Sequence, residues 1–172
     1  MATNILTVSR VRELLHYQPE TGVFTWLFIT SNRVKVGDVA GGFDAEGYRR
    51  ISIDGHNYKA HRLAWLYVHG KWPVDQIDHI DCQKNNNRLC NLREATGSGN
   101  QQNQRAPGRG NTSGFLGVSW SVRAKKWKAQ ITVNGKKIYL GYFPAAELAH
   151  AAYLQAKEEL HPFGTLVRKT VD

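Results

Sequence analysis

Cysteine is nearly absent: there are two, Cys82 and Cys90, in 172 residues. They form no CxxC pair, so no structural zinc is expected. The start of the chain, Met1 to Arg12, lacks the apolar run of a secretory leader, so a structural disulfide is not expected either. No apolar segment is long enough to span a bilayer. These absences together lead us to expect a soluble protein of the cytoplasm. Acidic residues are also missing over a long stretch. From Ala95 to Ala146 there is no Asp or Glu, while Arg105, Arg109, Arg123, Lys125, Lys126, Lys128, Lys136 and Lys137 all fall there. Trp120, Trp127 and Tyr139 lie among them. A one-sign stretch with interleaved aromatics suits a phosphate-facing surface, although a solvated lysine-rich face has the same composition. The formal net charge of +9 points the same way, toward a polyanionic partner.

What is present is sufficient for a packed protein. Hydrophobic residues make up 41% of the chain, adequate for a packed core, so this is not a disordered chain. Sixteen glycines and short apolar runs argue against a single all-helical domain. Thr7 or Ser9 can cap a helix carrying Val8, Val11, Leu14 and Leu15 on one face. Pro19 to Gly22 reads as a turn, Val23 to Phe28 as a strand, and Val34 to Phe43 as a strand and turn. Asp54-Gly55 joins Tyr48–Ile53 and His56–Ala60 into a hairpin. A helix over His61 to His69 is ended by Gly70 and Pro73.

The next segment carries the chemistry. Gln76 to His79 reads as a strand, Ile80 to Cys90 as a polar loop, Leu92 to Thr96 as a second strand and Ser98 to Gln104 as a short helix. Asp78 ends the first strand and Asn100 lies on the helix. If strand, loop, strand and helix fold back together, a carboxylate and an amide oxygen can face one hard divalent ion. His79 follows Asp78, so its side chain points to the opposite side of the strand. A neutral histidine there suits proton removal from water near neutral pH. Asn91, at the start of the second strand, can hydrogen-bond the region of His79 and fix its orientation. Arg93 is a phosphate candidate, and Asp81 reads as a residue that shapes the loop. His61-Arg62 reads as packing or capping more readily than as a phosphate contact, and His56 and His69 as surface residues.

The residues Asp78-His79, Asp81, Asn86-Asn87, Asn91-Leu92-Arg93 and Asn100 resemble the motif of the HNH endonucleases of the ββα-metal fold, especially the phage-type homing enzymes. The likeness covers about Tyr48 to Gln104, with Cys82 standing where that loop often carries Gly. It implies that Asp78 and Asn100 hold one divalent metal ion, Mg²⁺ or Mn²⁺, that His79 is the general base and that Asn91 supports it. Products would carry 5′-phosphate and 3′-hydroxyl ends.

After Pro107, Gly108 and Gly110 the pattern changes. Phe115–Ser121, Trp127–Val133 and Lys137–Phe143 read as three strands, with Asn134-Gly135 as a hairpin turn. Pro144 opens a helix from Ala145 to about Leu160. Alternation turns Val118, Trp127, Ala129, Ile131, Val133, Ile138 and Leu140 toward the helix, and parity puts Trp120 with them. Ser119, Ser121, Lys128, Gln130, Thr132, Lys137 and Tyr139 face outward, with Arg123 and Lys125 on the intervening turn. Gly117-Val118, Trp127-Lys128-Ala129-Gln130-Ile131, Leu140-Gly141-Tyr142-Phe143 and the Ala-rich helix with Tyr153 resemble the plant ethylene-response-factor (APETALA-type) DNA-binding domain. That resemblance implies a three-stranded sheet laid in the DNA major groove. The plant domains carry arginines where Ser119, Ser121 and Thr132 stand here, so the docking mode is carried over and the target sequence is not.

The expected fold is α+β, a ββα-metal HNH nuclease module followed by a three-stranded antiparallel sheet packed on one helix. The expected divisions are an N-terminal α/β extension (1–47), the nuclease module (48–105), a linker (106–112), a DNA-binding domain (113–166) and a tail (167–172). The expected function is a site-specific, metal-dependent DNA endonuclease of a phage or its bacterial host, acting on double-stranded DNA. It would read its target through Arg93 and the outward and turn residues of the second domain. One chain carries one active site, so a monomer is compatible with this reading. Two rivals remain: a non-catalytic sequence-specific DNA-binding regulator, and a nuclease acting on structured RNA or on any DNA.

Overall fold

The computed structural model describes residues 6–29, 34–104 and 106–161. Arg105, the far end of the expected DNA-binding domain (162–166) and the tail (167–172) lie outside the described residues. The chain is α+β and divides into two compact units, Met1–Glu94 and Ala95–Asp172.

The first unit opens with α1 (Val8–Leu14), whose N-cap Thr7 accepts a hydrogen bond from the Arg10 amide at 3.2 Å. Leu15 leaves the helix directly into β1 (Leu15–Gln18), a strand absent from the sequence reading. It pairs antiparallel with β2 (Val23–Trp26). β2 is shorter than expected because its partner strand begins only at Leu15: the next pair in register, Leu27 N donating to Leu14 O at 2.8 Å, meets the end of α1. β3 (Gly42–Phe43), β4 (Arg49–Ile53) and β5 (His56–Lys59) form an antiparallel sheet. The β4–β5 turn uses left-handed backbone at Asp54 and Gly55, with φ of 48° and 79°, as a two-residue hairpin loop requires. α2 (Ala60–His69) follows and stops at Gly70, φ 71°. β6 (Gln76–His79) and β7 (Leu92–Ala95) form a two-stranded sheet. A single core built from Val11, Leu15, Tyr17, Phe24, Ile51 and Leu63 also takes in Ile77 of β6 and Leu92 of β7. Burial therefore ties the β6–β7 hairpin to the N-terminal elements.

The second unit begins near α3 (Gly97–Gln102), capped by Thr96, whose hydroxyl accepts from the Gly99 amide at 3.1 Å. β8 (Val118–Ser121), β9 (Lys126–Val133) and β10 (Lys136–Phe143) form an antiparallel sheet in the order β10-β9-β8. α4 (Ala146–Leu160) packs on it through Ala149, Tyr153 and Ala156. β8 starts three residues later than expected. Asn111 and Ser113 fold the preceding segment into side-chain-bonded turns, and Gly117 has φ +70°. That glycine is required: a Cβ there would lie 2.0 Å from the Tyr153 ring.

Candidate active site

On β6 the residues Ile77, Asp78 and His79 are all buried. Alternation along the strand separates the two polar side chains, and each meets different partners. Asp78 faces Arg93 of β7, which donates to its Oδ2 from Nε at 2.9 Å and from Nη2 at 2.8 Å. Arg93, the phosphate candidate, neutralises the buried carboxylate of Asp78 in this structure.

His79 points the other way. Its Nε2 lies 3.0 Å from Oδ1 of Asn87. An amide oxygen only accepts, so Nε2 carries the proton and the basic lone pair is on Nδ1. Burial holds the His79 pKa below the usual histidine value, with the Asn87 hydrogen bond opposing it. The ring is therefore neutral at neutral pH, the form able to accept a proton.

The direct contact to the imidazole is thus made by Asn87, while Asn91 bonds the adjoining backbone, its carbonyl accepting from the Ile80 amide at 2.9 Å. The Asn91 side chain makes three hydrogen bonds, none to the His79 ring. Its Oδ1 accepts from the Asp81 amide at 3.0 Å, and its Nδ2 donates to Asp81 Oδ1 at 2.9 Å and to Asn86 O at 2.8 Å. Asn91 braces the loop, and Asp81 is the hub of that brace. The Asp81 carboxylate also accepts from the Gln83 amide and from Asn86 Nδ2. Burial pushes its pKa up, but the hydrogen bonds from Asn86, Gln83 and Asn91 outweigh this and hold it low. Cys82, in this loop, has φ +63°, a backbone state natural to Gly.

Asn87 is held from below by the β1–β2 hairpin. Tyr17 Oη donates to Asn87 O at 2.7 Å, and Leu89 N donates to Pro19 O at 3.1 Å. A Cβ on Gly22 would sit 2.4 Å from Asn87 C and Arg88 N, so the hairpin turn and the loop are in backbone contact. Asn87 is only 1% exposed. The N-terminal strands therefore buttress the loop that aims His79. The sequence offered one signal for this residue, its place in the Asn-rich loop.

His61 and Tyr48 also adjoin the base. The His61 ring is edge-to-face with His79 at 4.9 Å between centroids, and Tyr48 lies 5.3 Å from His61 and 6.0 Å from His79. Arg62 is engaged elsewhere, donating to Asp75 O at 3.1 Å. His56 and His69 are exposed, as expected.

Asn100, the other expected metal ligand, lies on α3 in the second unit and is half-buried. Its helix is fixed by the Thr96 cap and by the Asn100 amide donating to Thr96 O at 2.9 Å. Among the described residues no group of three His, Cys, Asp or Glu side chains could hold a metal. The donors of Asp78 and Asn100 are a carboxylate and an amide carbonyl. These hard oxygens suit a divalent ion that keeps its other positions for water and phosphate.

In the second unit the sheet's outer face is the one the sequence describes, with two additions. Ser119 lies opposite Lys128, Ser121 opposite Lys126, Lys137 opposite Thr132 and Tyr139 opposite Gln130. Arg123 and Lys125 are exposed on the β8–β9 turn. A register shift between Tyr139 and Gly141 then places Tyr142 opposite Lys128. Tyr139 and Tyr142 consequently share the outer face, 5.3 Å apart. Strict alternation hides Tyr142, because a bulge is not visible in a hydrophobic pattern. Ile138 pairs with Ile131 on the helix side, yet it is 39% exposed. Trp120 pairs with Trp127 on that side as parity requires, but is 48% exposed and so only partly core.

The chain is similar to known proteins. A family model described as HNH endonuclease matches residues 58–102, the span holding Asp78, His79, Asn87, Asn91 and Asn100. Protein 3.8 of Escherichia phage T7 is 39% identical over 84 residues, covering 46% of this chain and 69% of that protein. An uncharacterized HNH endonuclease, L560, of Acanthamoeba polyphaga mimivirus is 33% identical over 112 residues, covering 64% of this chain and 57% of the relative. A solved structure describing DNA binding and cleavage by the HNH homing endonuclease I-HmuI aligns over 79% of this chain and 75% of its own, with 24% identity and a TM-score of 0.42. Among the described residues no helix is long and apolar enough to cross a membrane.

Proposed function

The chain belongs to the HNH endonuclease family, enzymes that cleave phosphodiester bonds, and from that premise we propose that it is a metal-dependent, site-specific endonuclease of the homing type acting on double-stranded DNA. The observation that carries this reading is the buried His79, held as a neutral base by Asn87 beside the carboxylate of Asp78. A protein that only binds DNA has no use for a buried imidazole of fixed tautomer next to a buried carboxylate, and desolvating both is costly.

Asp78 and Asn100 would hold the ion, Mg²⁺ or Mn²⁺. When bound there, a divalent ion neutralises the phosphate and stabilises the departing 3′ oxygen. The side chains do the rest. Nδ1 of His79 takes the proton from the attacking water. Asn87 fixes the ring and steadies the charge it gains, since an N–H⁺ donates more strongly to an amide oxygen than a neutral N–H does. Asn91 acts at one remove, through the loop that carries Asn87. Arg93 screens the Asp78 carboxylate and would pair with the phosphate of a bound strand. Hydrolysis in this sense leaves 5′-phosphate and 3′-hydroxyl ends.

The domain plan follows. Residues 48–105 form the nuclease module, with 1–47 as its buttress, 106–112 as the linker, 113–166 as the DNA reader and 167–172 as the tail. The reader would work in the manner of the ethylene-response-factor domain. Its outer face would present Ser119, Ser121, Lys128, Gln130, Thr132, Lys137 and Tyr139 to base edges and phosphates, with Arg123 and Lys125 on the flanking turn. Support comes from the one-sided basic and aromatic face of β8–β10. The test is a cleavage panel of duplex DNA, single-stranded DNA and structured RNA with each metal. Selective cutting of duplex DNA is the expected result. Cutting of RNA, or of every DNA alike, would replace this reading with that of an unselective nuclease.

A further inference from the structure

His61 is a polar side chain with no hydrogen-bond partner among the described residues. It lies in the first turn of α2 and is 6% exposed. Among the described residues its ring nitrogens make no hydrogen bond to protein. Its neighbours are rings: His79 at 4.9 Å and Tyr48 at 5.3 Å. The ring is packed among other rings while its nitrogens keep no protein acceptor or donor, so its N–H is left to solvent or to a ligand. The sequence suggested packing or capping for this residue. Capping does not apply, since α2 has Lys59 at its N-cap with no side-chain cap bond.

The surroundings favour an anion. α2 has no acidic residue in its first turn, so its terminal amides present their positive end without a carboxylate on the helix to answer it. The Lys59 ammonium lies 3.9 Å from the Tyr48 ring centroid and that of Lys84 lies 4.8 Å from it. Tyr48 is the ring that packs on both histidines. Glu46 also draws on these lysines, through a 3.6 Å ion pair to Lys59 and a backbone carbonyl bonded to Lys84. That glutamate is itself largely exposed, so solvent weakens its hold on Lys59.

We propose that His61 is a substrate-binding residue of the active site, donating one ring N–H to a non-bridging oxygen of the scissile phosphodiester while His79 takes the proton from water. The proposal rests on the nuclease reading of the His79 site. Lys59 and Lys84 supply the positive field that draws the phosphate to it. Burial holds the His61 pKa at about 3, with the neighbouring His79 adding to the effect. The ring thus remains neutral, with one N–H to give and no charge to repel a protonated His79.

The test uses the full chain and two substitutions that fail differently. His61→Phe keeps the ring contact with His79 and removes the N–H. His61→Gln gives up the ring and restores an N–H donor. The expected result is a fall in kcat of about 10- to 100-fold for H61F, the worth of one hydrogen bond to a charged oxygen, and recovery of most of that loss in H61Q. H61F cutting at the wild-type rate, or H61Q cutting no better than H61F, overturns the proposal. A second readout needs neither a variant nor cleavage: imidazole-¹⁵N NMR of the wild-type protein with a DNA duplex in EDTA. Saturating DNA should move the His61 ring-nitrogen resonances, and unmoved resonances at saturation overturn the contact. DNA that binds and shifts His61 but is never cut with any metal would instead sink the nuclease reading and leave the phosphate contact standing.

Discussion

Asn87→Ala should slow cleavage with little effect on DNA binding. The side chain is fully buried, and its Oδ1 accepts the 3.0 Å hydrogen bond from His79 Nε2. In the ground state that bond joins neutral groups. As His79 takes the proton from water the ring becomes cationic and the bond becomes charge-assisted, worth about 1.5 to 3 kcal/mol. A contact that strengthens in the transition state acts on kcat, so its loss should lower kcat by about 10- to 150-fold. Asn91→Ala is the contrasting variant. It removes three hydrogen bonds that hold the 81–91 loop, so it should lower thermal stability more than Asn87→Ala does. The assay is single-turnover cleavage of a labelled duplex at saturating metal, with binding in EDTA and thermal melts in parallel. Wild-type kcat in N87A, together with a large kcat loss and unchanged melting in N91A, would refute this assignment and restore Asn91 as the residue that aims His79.

Three further outcomes are expected. Cys82→Gly should raise stability by up to about 1 kcal/mol, because φ +63° strains any residue with a Cβ; a lower melting temperature would show that the thiol contributes more than the strain costs. Gly117→Ala should destabilise the second unit by at least about 2 kcal/mol, since the new methyl meets the Tyr153 ring with the backbone at positive φ; an unchanged denaturation midpoint would contradict the packing of α4. The third concerns acid. His61 stays neutral in the fold down to about pH 3, whereas in the unfolded chain it takes up a proton below about pH 6.5. Unfolding therefore binds a proton in that window, and stability falls as pH falls, by about 1.4 kcal/mol per pH unit from this group. Denaturant melts between pH 6 and 4 should show a shallower acid loss in H61F than in wild type, and parallel curves would sink the argument.

Much of the fold could be read from the chain because its local signals agree with one another. Asp54-Gly55, Gly70, Thr7 and Asn134-Gly135 mark turns and caps by residue type alone, and the elements they delimit lie where expected. Alternation along Trp127–Val133 set the inner and outer faces of the second sheet. The strand Leu15–Gln18 escaped notice because its apolar residues continue the helical stripe of α1, and only pairing with β2 decides between the two. Tyr142 escaped because a bulge shifts the pattern by one residue. At the site, Asp78-His79 stands out because a carboxylate and an imidazole adjoin at the end of a short strand, just before an Asn-rich loop. The roles of Asn87 and Asn91 are a different matter. Both are asparagines of one polar loop, and only the fold of that loop shows which amide reaches the imidazole. His61 looks like an ordinary helix residue until α2 is seen packed against β6.

The central claim is that His79 is the base of a metal-dependent nuclease. It is tested most directly by cleavage of supercoiled DNA with Mg²⁺, Mn²⁺ or EDTA, for wild type and His79→Ala. The account predicts cutting that requires the metal and falls by about 10²- to 10⁴-fold in the variant, with DNA binding nearly intact. Binding without cutting under any metal, or equal loss of binding and cutting in the variant, would contradict it.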